Sequence, residues 1–491
     1  CSSTPSNMTQ AAALSPTIPP QEQAKHRAIG AILWVILCGV FLVLILQVNR
    51  RISSGHSGDF RHFYFAAGAL LDHRDLYGPV PLDVVQRALG RPAGPVEKRW
   101  YTLDSERYLY PPLIALLYTP IAHVQFEIAQ RLVLIINALL VLLGVVLTSM
   151  AFSDRFGFRG NGWLLAGIAL LGTLLNIDKV HLELQMFQTN SLMFCMFALS
   201  LYWLDRRPIL AGIPLGVILN IKYLSLALLP WLLIRRRWGT AVSCALSSVA
   251  FALLPAVISG WGPNLKNLGV AYGGLLHMVG VNAGAEQANV DDIRDYLSCS
   301  ITSALARTTS QHQGLTLPMM AVGCIAGLAI CIVMWIYMEQ RVPVFEWPCA
   351  AKQSLMPFKA MAGVEFVSIV AATLCFSPQT NTRHLMLALL LTIPLSALIL
   401  RPREKSDIHL FRFPGQKRWM GPFFAPFGAR IGAIVGALLI GFGFIFPPGG
   451  QAPESHHLAM MWFGKGGQCW CLLLAMFLLV WSAVRDMRAS H

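Results

Sequence analysis

Residues 127–150 read Glu127-Ile128-Ala129-Gln130-Arg131-Leu132-Val133-Leu134-Ile135-Ile136-Asn137-Ala138-Leu139-Leu140-Val141-Leu142-Leu143-Gly144-Val145-Val146-Leu147-Thr148-Ser149-Met150. From Leu132 onward no ionisable side chain interrupts the run, and its length suits the roughly 20 residues a helix needs to cross a hydrocarbon core. In lipid the backbone must satisfy its own polar groups, so such a run is helix. Further apolar runs fall near 29–48, 162–177, 190–204, 209–221, 223–234, 240–258, 316–338, 361–376, 384–400, 430–446 and 468–484. The expected fold is an all-α integral membrane protein, a polytopic bundle of about 12 transmembrane helices with interfacial helices on its outer face. Residues 29–491 form one membrane domain behind a flexible cytoplasmic segment, 1–28.

Composition excludes the soluble classes. The chain is 55% hydrophobic and 13% charged, with a mean hydropathy of +0.56, far too apolar for a water-soluble fold. The net charge of +14 does not point to nucleic acid, because the basic residues lie in short clusters between apolar runs, without interleaved aromatics. Cys38, Cys195, Cys244, Cys324, Cys331 and Cys375 lie inside those runs, where a thiol acts as a small hydrophobe. No disulfide or zinc framework is expected, and the Cys469/Cys471 spacing is not that of a metal knuckle. Cys1-Ser2-Ser3 is compatible with a lipidated start, but Met8 offers another start and an outer Cys1 conflicts with the orientation argued next.

Charge gives that orientation. Lys25/Arg27, Arg155/Arg159, Arg206/Arg207, Arg235 to Arg237, Arg341 to Lys359, Arg401 to Arg430 and Arg485/Arg488 fall on one side as the runs alternate. Short loops rich in Lys and Arg stay cytoplasmic, so this side, with both termini, is inside. The outer side of the plasma membrane then receives loops 49–110, 259–315 and 447–467. The first is unusually basic for an outer loop (Arg50, Arg51, Arg61, Arg74, Arg87, Arg91, Arg99, Arg107), as if it met phosphates or lipid head groups.

Candidate chemistry gathers at that outer rim. Ser57-Gly58-Asp59-Phe60 opens a segment in which Phe60, Phe63, Ala67, Leu70 and Leu71 share one helical face. This predicts an amphipathic interfacial helix with Asp59 at its N-terminus. Asp59 is read either as an N-cap or as a reactive carboxylate. Tyr110-Pro111-Pro112 starts an apolar helix that breaks near His123, too short to span. Gln188-Thr189-Asn190 sits at the mouth of the fourth run, and Lys222-Tyr223 at the break between the fifth and sixth. A lysine there is either a phosphate site or a side chain that snorkels to the interface. Ser377-Pro378 leads to Arg383-His384, read as either a site or an interfacial anchor.

These segments resemble glycosyltransferase family 87, the group that holds polyprenol-phosphate-mannose-dependent mannosyltransferases within the C-type membrane superfamily. The likeness rests on Gly58-Asp59-Phe60 with its Ala-Ala-Gly and Leu-Leu, Asp75-Leu76-Tyr77, Tyr110-Pro111-Pro112, Gln188-x-Asn190, Leu210-Ala211-Gly212 with Lys222-Tyr223 and Arg235 to Arg237, and Ser377-Pro378 ahead of His384. It implies inverting transfer of a sugar, mannose first, from a polyprenyl-phosphate donor to a lipid-linked or glycan acceptor at the outer face. No cofactor or metal is expected, since no Asp-x-Asp pair is at hand to hold one. Asp59 matches the family's catalytic acidic residue and His384 the histidine after Ser-Pro. Lys222, with Arg383, is assigned to the donor phosphate. Arg61, His62, Tyr64, Tyr110, Gln188, Asn190 and Tyr223 are the substrate-binding candidates. The chain departs from the family where Phe187 replaces the usual Gly before Gln188, and where Asn381 and Arg383-His384 replace a Trp and paired histidines. Those departures leave the sugar open.

The residue types suit the chemistry. An acceptor hydroxyl needs a base, which Asp59 supplies with His384 as relay, and an anionic lipid phosphate leaves against a cation. Asp75, Asp104 and Glu106 are other outer carboxylates, read as structural or acceptor-binding. No Gly-rich phosphate loop or Asp-x-Asp pair supports a nucleotide-sugar donor. Aromatic loop residues are read first as membrane anchors. The alternative is a transporter or lipid flippase, which predicts an internal repeat that the sequence does not display. A third is a non-catalytic subunit. In loop 259–315, His277 and Asp291-Asp292 match no motif.

Overall fold

The computed structural model describes residues 20–102, 107–158, 161–278, 288, 293–295, 298–309, 315–339, 356–378, 380–401, 425–443, 461–462 and 464–489. Asp104, Glu106, Asp291, Asp292, the first nineteen residues and most of the 447–467 loop lie outside them.

Among the described residues regular structure is helical, apart from one isolated bridge between Ser298 and Asn381. The first quarter holds α1 (Pro20–Ser53), α2 (Phe60–Leu71), α3 (Leu82–Leu89), α4 (Pro95–Thr102) and α5 (Pro112–Tyr118). Then come α6 (Phe126–Arg155), α7 (Gly162–Leu174), α8 (Ile177–Met186), α9 (Asn190–Trp203), α10 (Pro208–Lys222), α11 (Leu228–Ile234) and α12 (Trp238–Leu253). They are followed by α13 (Ala256–Ser259), α14 (Trp261–Met278), α15 (Ile301–Ala306) and α16 (Thr316–Glu339). The chain ends with α17 (Met356–Phe376), α18 (Leu389–Leu400), α19 (Ala425–Gly443) and α20 (Gly467–Ala489).

In its described residues every apolar run read from the sequence is largely helical, some of them broken or opened by a 3-10 turn, and they differ in length. Among the described residues, seven helices are long and apolar enough to cross a membrane. There is an eighth crossing if α7 and α8, bent by 68° at their junction, count as one. The runs at 190–204, 209–221, 223–234 and 430–446 form shorter helices, Asn190–Trp203, Pro208–Lys222, Leu224–Ile234 and Gly428–Gly441. The described helices therefore support a membrane protein with a smaller number of full-length spans than about 12.

Burial sorts the bundle. α18 is its axis, with every residue from Leu389 to Leu398 buried. α16 is peripheral and carries exposed Leu317, Met320, Leu328, Ile330 and Trp335. α1 likewise presents Ile32, Val35, Ile36, Leu42, Val43 and Leu46 outward. Large apolar side chains exposed on helices this apolar are lipid-facing.

Two close approaches set the helix ends around the site. A methyl at Gly212 would stand 2.6 Å from the Cys244 nitrogen, and one at Gly216 2.7 Å from that of Ser248. This small-xxx-small pair therefore lets α10 lie directly on α12, which fixes the level of Lys222 at the end of α10. At Tyr223 the backbone turns left-handed (φ 54°), ending the helix and starting a 3-10 turn, Leu224–Ala227. Gly58 has φ 51° and a Cβ there would lie 2.8 Å from Met186 O, so only glycine lets the α1–α2 turn dock on the end of α8.

Candidate active site

Asp59 starts α2 as expected, but its side chain makes no capping hydrogen bond. Its backbone N–H donates to Met186 O at 2.9 Å, and its carboxylate turns across to other helices. Oδ2 accepts from Gln188 Nε2 and from Arg383 Nη1 at 3.1 Å. The N-cap reading of Asp59 thus gives way to a carboxylate shared between distant segments. α2 itself is more enclosed than an interfacial helix, burying Phe60, Phe63, Tyr64, Phe65 and four further residues.

Lys222 is the centre of the cluster. Nζ donates to Gln188 Oε1 at 3.1 Å and to Asn190 Oδ1 at 3.0 Å, and stands 3.1 Å from His384 Nε2. Tyr110 adds its ring, 5.6 Å from Nζ, and its hydroxyl, which donates to Gln188 Oε1 at 3.2 Å. Burial, then the nearby Asp59 charge, pushes the Tyr110 phenol up from its ordinary value, which keeps it a neutral donor. With three polar partners and an aromatic face, Lys222 is held inside the protein rather than reaching out to the interface.

His384 and Arg383 arrive on a 3-10 turn, Thr382–Ala388, after the Ser377-Pro378 break. The backbone N–H of Asn381 donates to His384 Nδ1 at 3.2 Å, which aims Nε2 at Lys222. The segment that carries them is buttressed by residues 298–303, in the 259–315 stretch where the sequence offers no motif. Cys299 N–H donates to Thr380 O at 2.7 Å, Ser303 Oγ to Pro378 O at 2.7 Å, and Thr302 Oγ1 to Phe376 O at 2.8 Å. From α20, Gln468 Oε1 accepts from Thr382 Oγ1 at 3.3 Å.

The site has a closed floor and an open edge. Gln188 and Asn190 are fully buried, whereas the Asp59 and Arg383 side chains are 18% and 28% exposed. Beneath Asn190 lies a residue that no motif singled out, Glu183, also fully buried. It accepts from Asn190 Nδ2 at 2.7 Å.

The structure thus brings together Asp59, Tyr110, Gln188, Asn190, Lys222, Arg383 and His384. It places the other candidates elsewhere. Arg61 Nη1 donates back to Gly58 O at 2.6 Å, bracing its own turn. Arg61 and His62 line a small cavity with Arg74, Asp75 and Tyr108. Tyr64 donates to Val124 O at 2.8 Å and packs against Phe60 and Phe126. Tyr223 packs against Tyr272, the rings tilted with centroids 5.6 Å apart.

A helical bundle of this apolarity, with a charged, amide-lined site among its helix ends, falls in the class of integral membrane proteins. The particular family follows from comparison: the model of glycosyltransferase family 87 matches residues 108–356, about half the chain, and the protein belongs to that family of membrane glycosyltransferases. No curated protein and no solved structure matches it. Tyr110, Glu183, Gln188, Asn190 and Lys222 lie within the matched region; Asp59, Arg383 and His384 lie outside it and are joined to it by the fold.

Proposed function

We propose that this glycosyltransferase moves a sugar, mannose first among the candidates, from a polyprenyl-phosphate donor to a lipid-linked or glycan acceptor at the outer face of the plasma membrane. The observation that carries the reading is the pairing, within one cluster, of a carboxylate that is the reachable one among the described residues there, Asp59, with two cations, Lys222 and Arg383. Both contacts to Asp59 fall on Oδ2, leaving Oδ1 to take the proton of an acceptor hydroxyl.

As that proton leaves, the acceptor oxygen bonds to the anomeric carbon and the bond from that carbon to the phosphate oxygen breaks, its electron pair staying on the lipid phosphate. An anionic leaving group needs positive charge more than a proton, and Lys222 with Arg383 supplies it. Among the described residues of the cluster the other carboxylate, Glu183, is sealed and hydrogen-bonded, which leaves Asp59 without a second carboxylate as nucleophile. That favours single displacement and inversion at the sugar. Gln188, Asn190 and Tyr110 hold Lys222 in place, and His384 stands beside it, its ring fixed by the Asn381 backbone N–H.

The orientation rests on charge. With the four shorter helices and the α7–α8 pair counted as crossings, the chain makes about twelve passes. Both termini are then cytoplasmic, and the ends of α1, α9 and α10 that meet at the site face outward.

The test is reconstitution of the purified protein with a panel of radiolabelled polyprenyl-phosphate sugars and membrane lipid extract, comparing wild type with Asp59→Asn. Transfer of one sugar by wild type that collapses in the variant supports the reading. Undiminished transfer by the variant removes Asp59 as base, and the absence of transfer from every lipid-phosphate donor removes the donor class.

A further inference from the structure

Glu183 lies on α8, and both oxygens of its buried carboxylate are occupied. Oε1 accepts from the Ser191 backbone N–H at 2.8 Å and from Ser191 Oγ at 3.2 Å, while Oε2 accepts from Asn190 Nδ2 at 2.7 Å. A carboxylate that is 0% exposed with three donors is too enclosed to take a proton from substrate or to attack a sugar. Its effect passes through the neighbour it orients.

That neighbour is Asn190. Nδ2 donates to Glu183 and also to Arg383 O at 3.3 Å, so both amide hydrogens are in use and Oδ1 has to face Lys222. Flipping the amide would set its carbonyl against the Glu183 carboxylate and its N–H groups against Lys222. Gln188 repeats the pattern from the other side: Nε2 donates to Asp59 and Oε1 accepts from Lys222. Two amides, each oriented by a carboxylate, therefore present two carbonyls to one amine. Asp59 is the partly exposed member of the pair and Glu183 the sealed one, so Glu183 can keep its amide oriented while Asp59 engages substrate.

We propose that Glu183 is a positioning residue that locks the Asn190 amide and thereby holds Lys222 Nζ where the lipid phosphate of the donor binds. The inference rests on the lipid-phosphate reading given above. Loss of the Glu183 charge frees Asn190 to rotate and lets Lys222 drift from the phosphate, whereas a residue that merely joins α8 to α9 would weaken the fold without acting through Lys222.

A double-mutant cycle separates these roles. Binding of undecaprenyl phosphate to the detergent-purified protein is measured for wild type, Glu183→Gln, Lys222→Met and the double variant, alongside thermal unfolding. Glu183→Gln is expected to raise Kd about tenfold in the wild-type background and to leave Kd unchanged where Lys222 is already methionine. Equal weakening in both backgrounds, or none in either, overturns the positioning role. If Glu183→Gln does not fold, Ser191→Ala, which removes one donor to Glu183, is expected to raise Kd about threefold with the same dependence on Lys222. An additive effect of Ser191→Ala again overturns the role. Failure of undecaprenyl phosphate to bind the wild-type protein overturns the lipid-phosphate reading and this inference together, whereas binding that Glu183→Gln leaves untouched overturns this inference alone.

Discussion

Arg383 Nη1 lies 3.1 Å from Asp59 Oδ2, across 324 positions of sequence. The pair is partly exposed, at 28% and 18%, so water screens it and the contact can open to admit an acceptor hydroxyl. Arg383 then serves two anions in turn, the Asp59 carboxylate and the lipid phosphate of the proposed donor.

Asp59→Asn keeps the shape and the hydrogen-bond acceptor for Gln188 and Arg383 but removes the proposed base. Transfer is expected to fall by about 10²- to 10⁴-fold in kcat, with donor binding nearly unchanged. Steady-state kinetics beside donor binding checks the split; a variant that loses binding and kcat together points to a folding role for Asp59.

Lys222→Met removes a cation whose side chain is held from three sides, and it leaves Gln188 Oε1 and Asn190 Oδ1 facing an apolar group. The leaving phosphate of the proposed donor loses its fixed charge, and kcat is expected to fall by about 10²- to 10³-fold. Lys222→Arg is expected to fail as well, since a planar fork does not reproduce three contacts made by one nitrogen. Assays across donors decide the point, because a loss confined to one sugar would assign Lys222 to the sugar instead of the phosphate.

The elements are legible in sequence where physics is local. An apolar run in lipid has one solution, so each such run is readable as helix, and Pro112 and the Lys222-Tyr223 break mark helix ends. What is not legible is convergence. Asp59 reads equally well as an N-cap because its spacing is the same in either role; only its contact with Gln188 and Arg383 distinguishes them. Glu183 is hidden in α8, where Asp178, Lys179, His181 and Glu183 look like an ordinary polar stretch. Arg61, His62 and Tyr64 lie next to Asp59 in the chain, but a helix turns successive side chains about 100° apart, so nearness in sequence does not carry them into the cluster. Loop 259–315 offers no motif because its residues 298–303 work through backbone and hydroxyl contacts that many sequences can make.

His56 links the same turn to pH. Its Nε2 contacts Gln185 O at 3.2 Å, and burial, ahead of the repulsion from Arg51 and Arg61, lowers its pKa below 6.5 in the folded protein. The backbone contact and Asp59 act the other way but do not win. A histidine with a depressed folded pKa binds fewer protons folded than unfolded, so its contribution is fully present above pH 6.5 and is lost as pH falls through the folded value. Thermal unfolding followed from neutral to mildly acidic pH is expected to show falling stability, with a shallower slope in His56→Gln. An unchanged slope would assign the acid sensitivity to other groups.

Phe187 precedes Gln188 and occupies a left-handed conformation, φ 54°, at the position where the family resemblance leads one to expect glycine. The conformation costs an L-residue about 1–2 kcal/mol, which glycine would avoid. Yet Phe187 is fully buried, its ring centroid 6.0 Å from that of Phe60, and deleting a buried phenylalanine costs about 3–5 kcal/mol. Packing outweighs backbone relief, so Phe187→Gly is expected to destabilise the protein by about 2 kcal/mol net. Since Phe60 follows Asp59 and Phe187 precedes Gln188, the cavity left behind would also loosen the contact between Asp59 and Gln188. Unfolding midpoints and kcat are therefore expected to fall together. Phe187→Leu, which refills part of the space but keeps the left-handed backbone, is expected to recover part of both. A stabilised Phe187→Gly with intact kcat would show that this chain carries the aromatic ring for neither packing nor alignment.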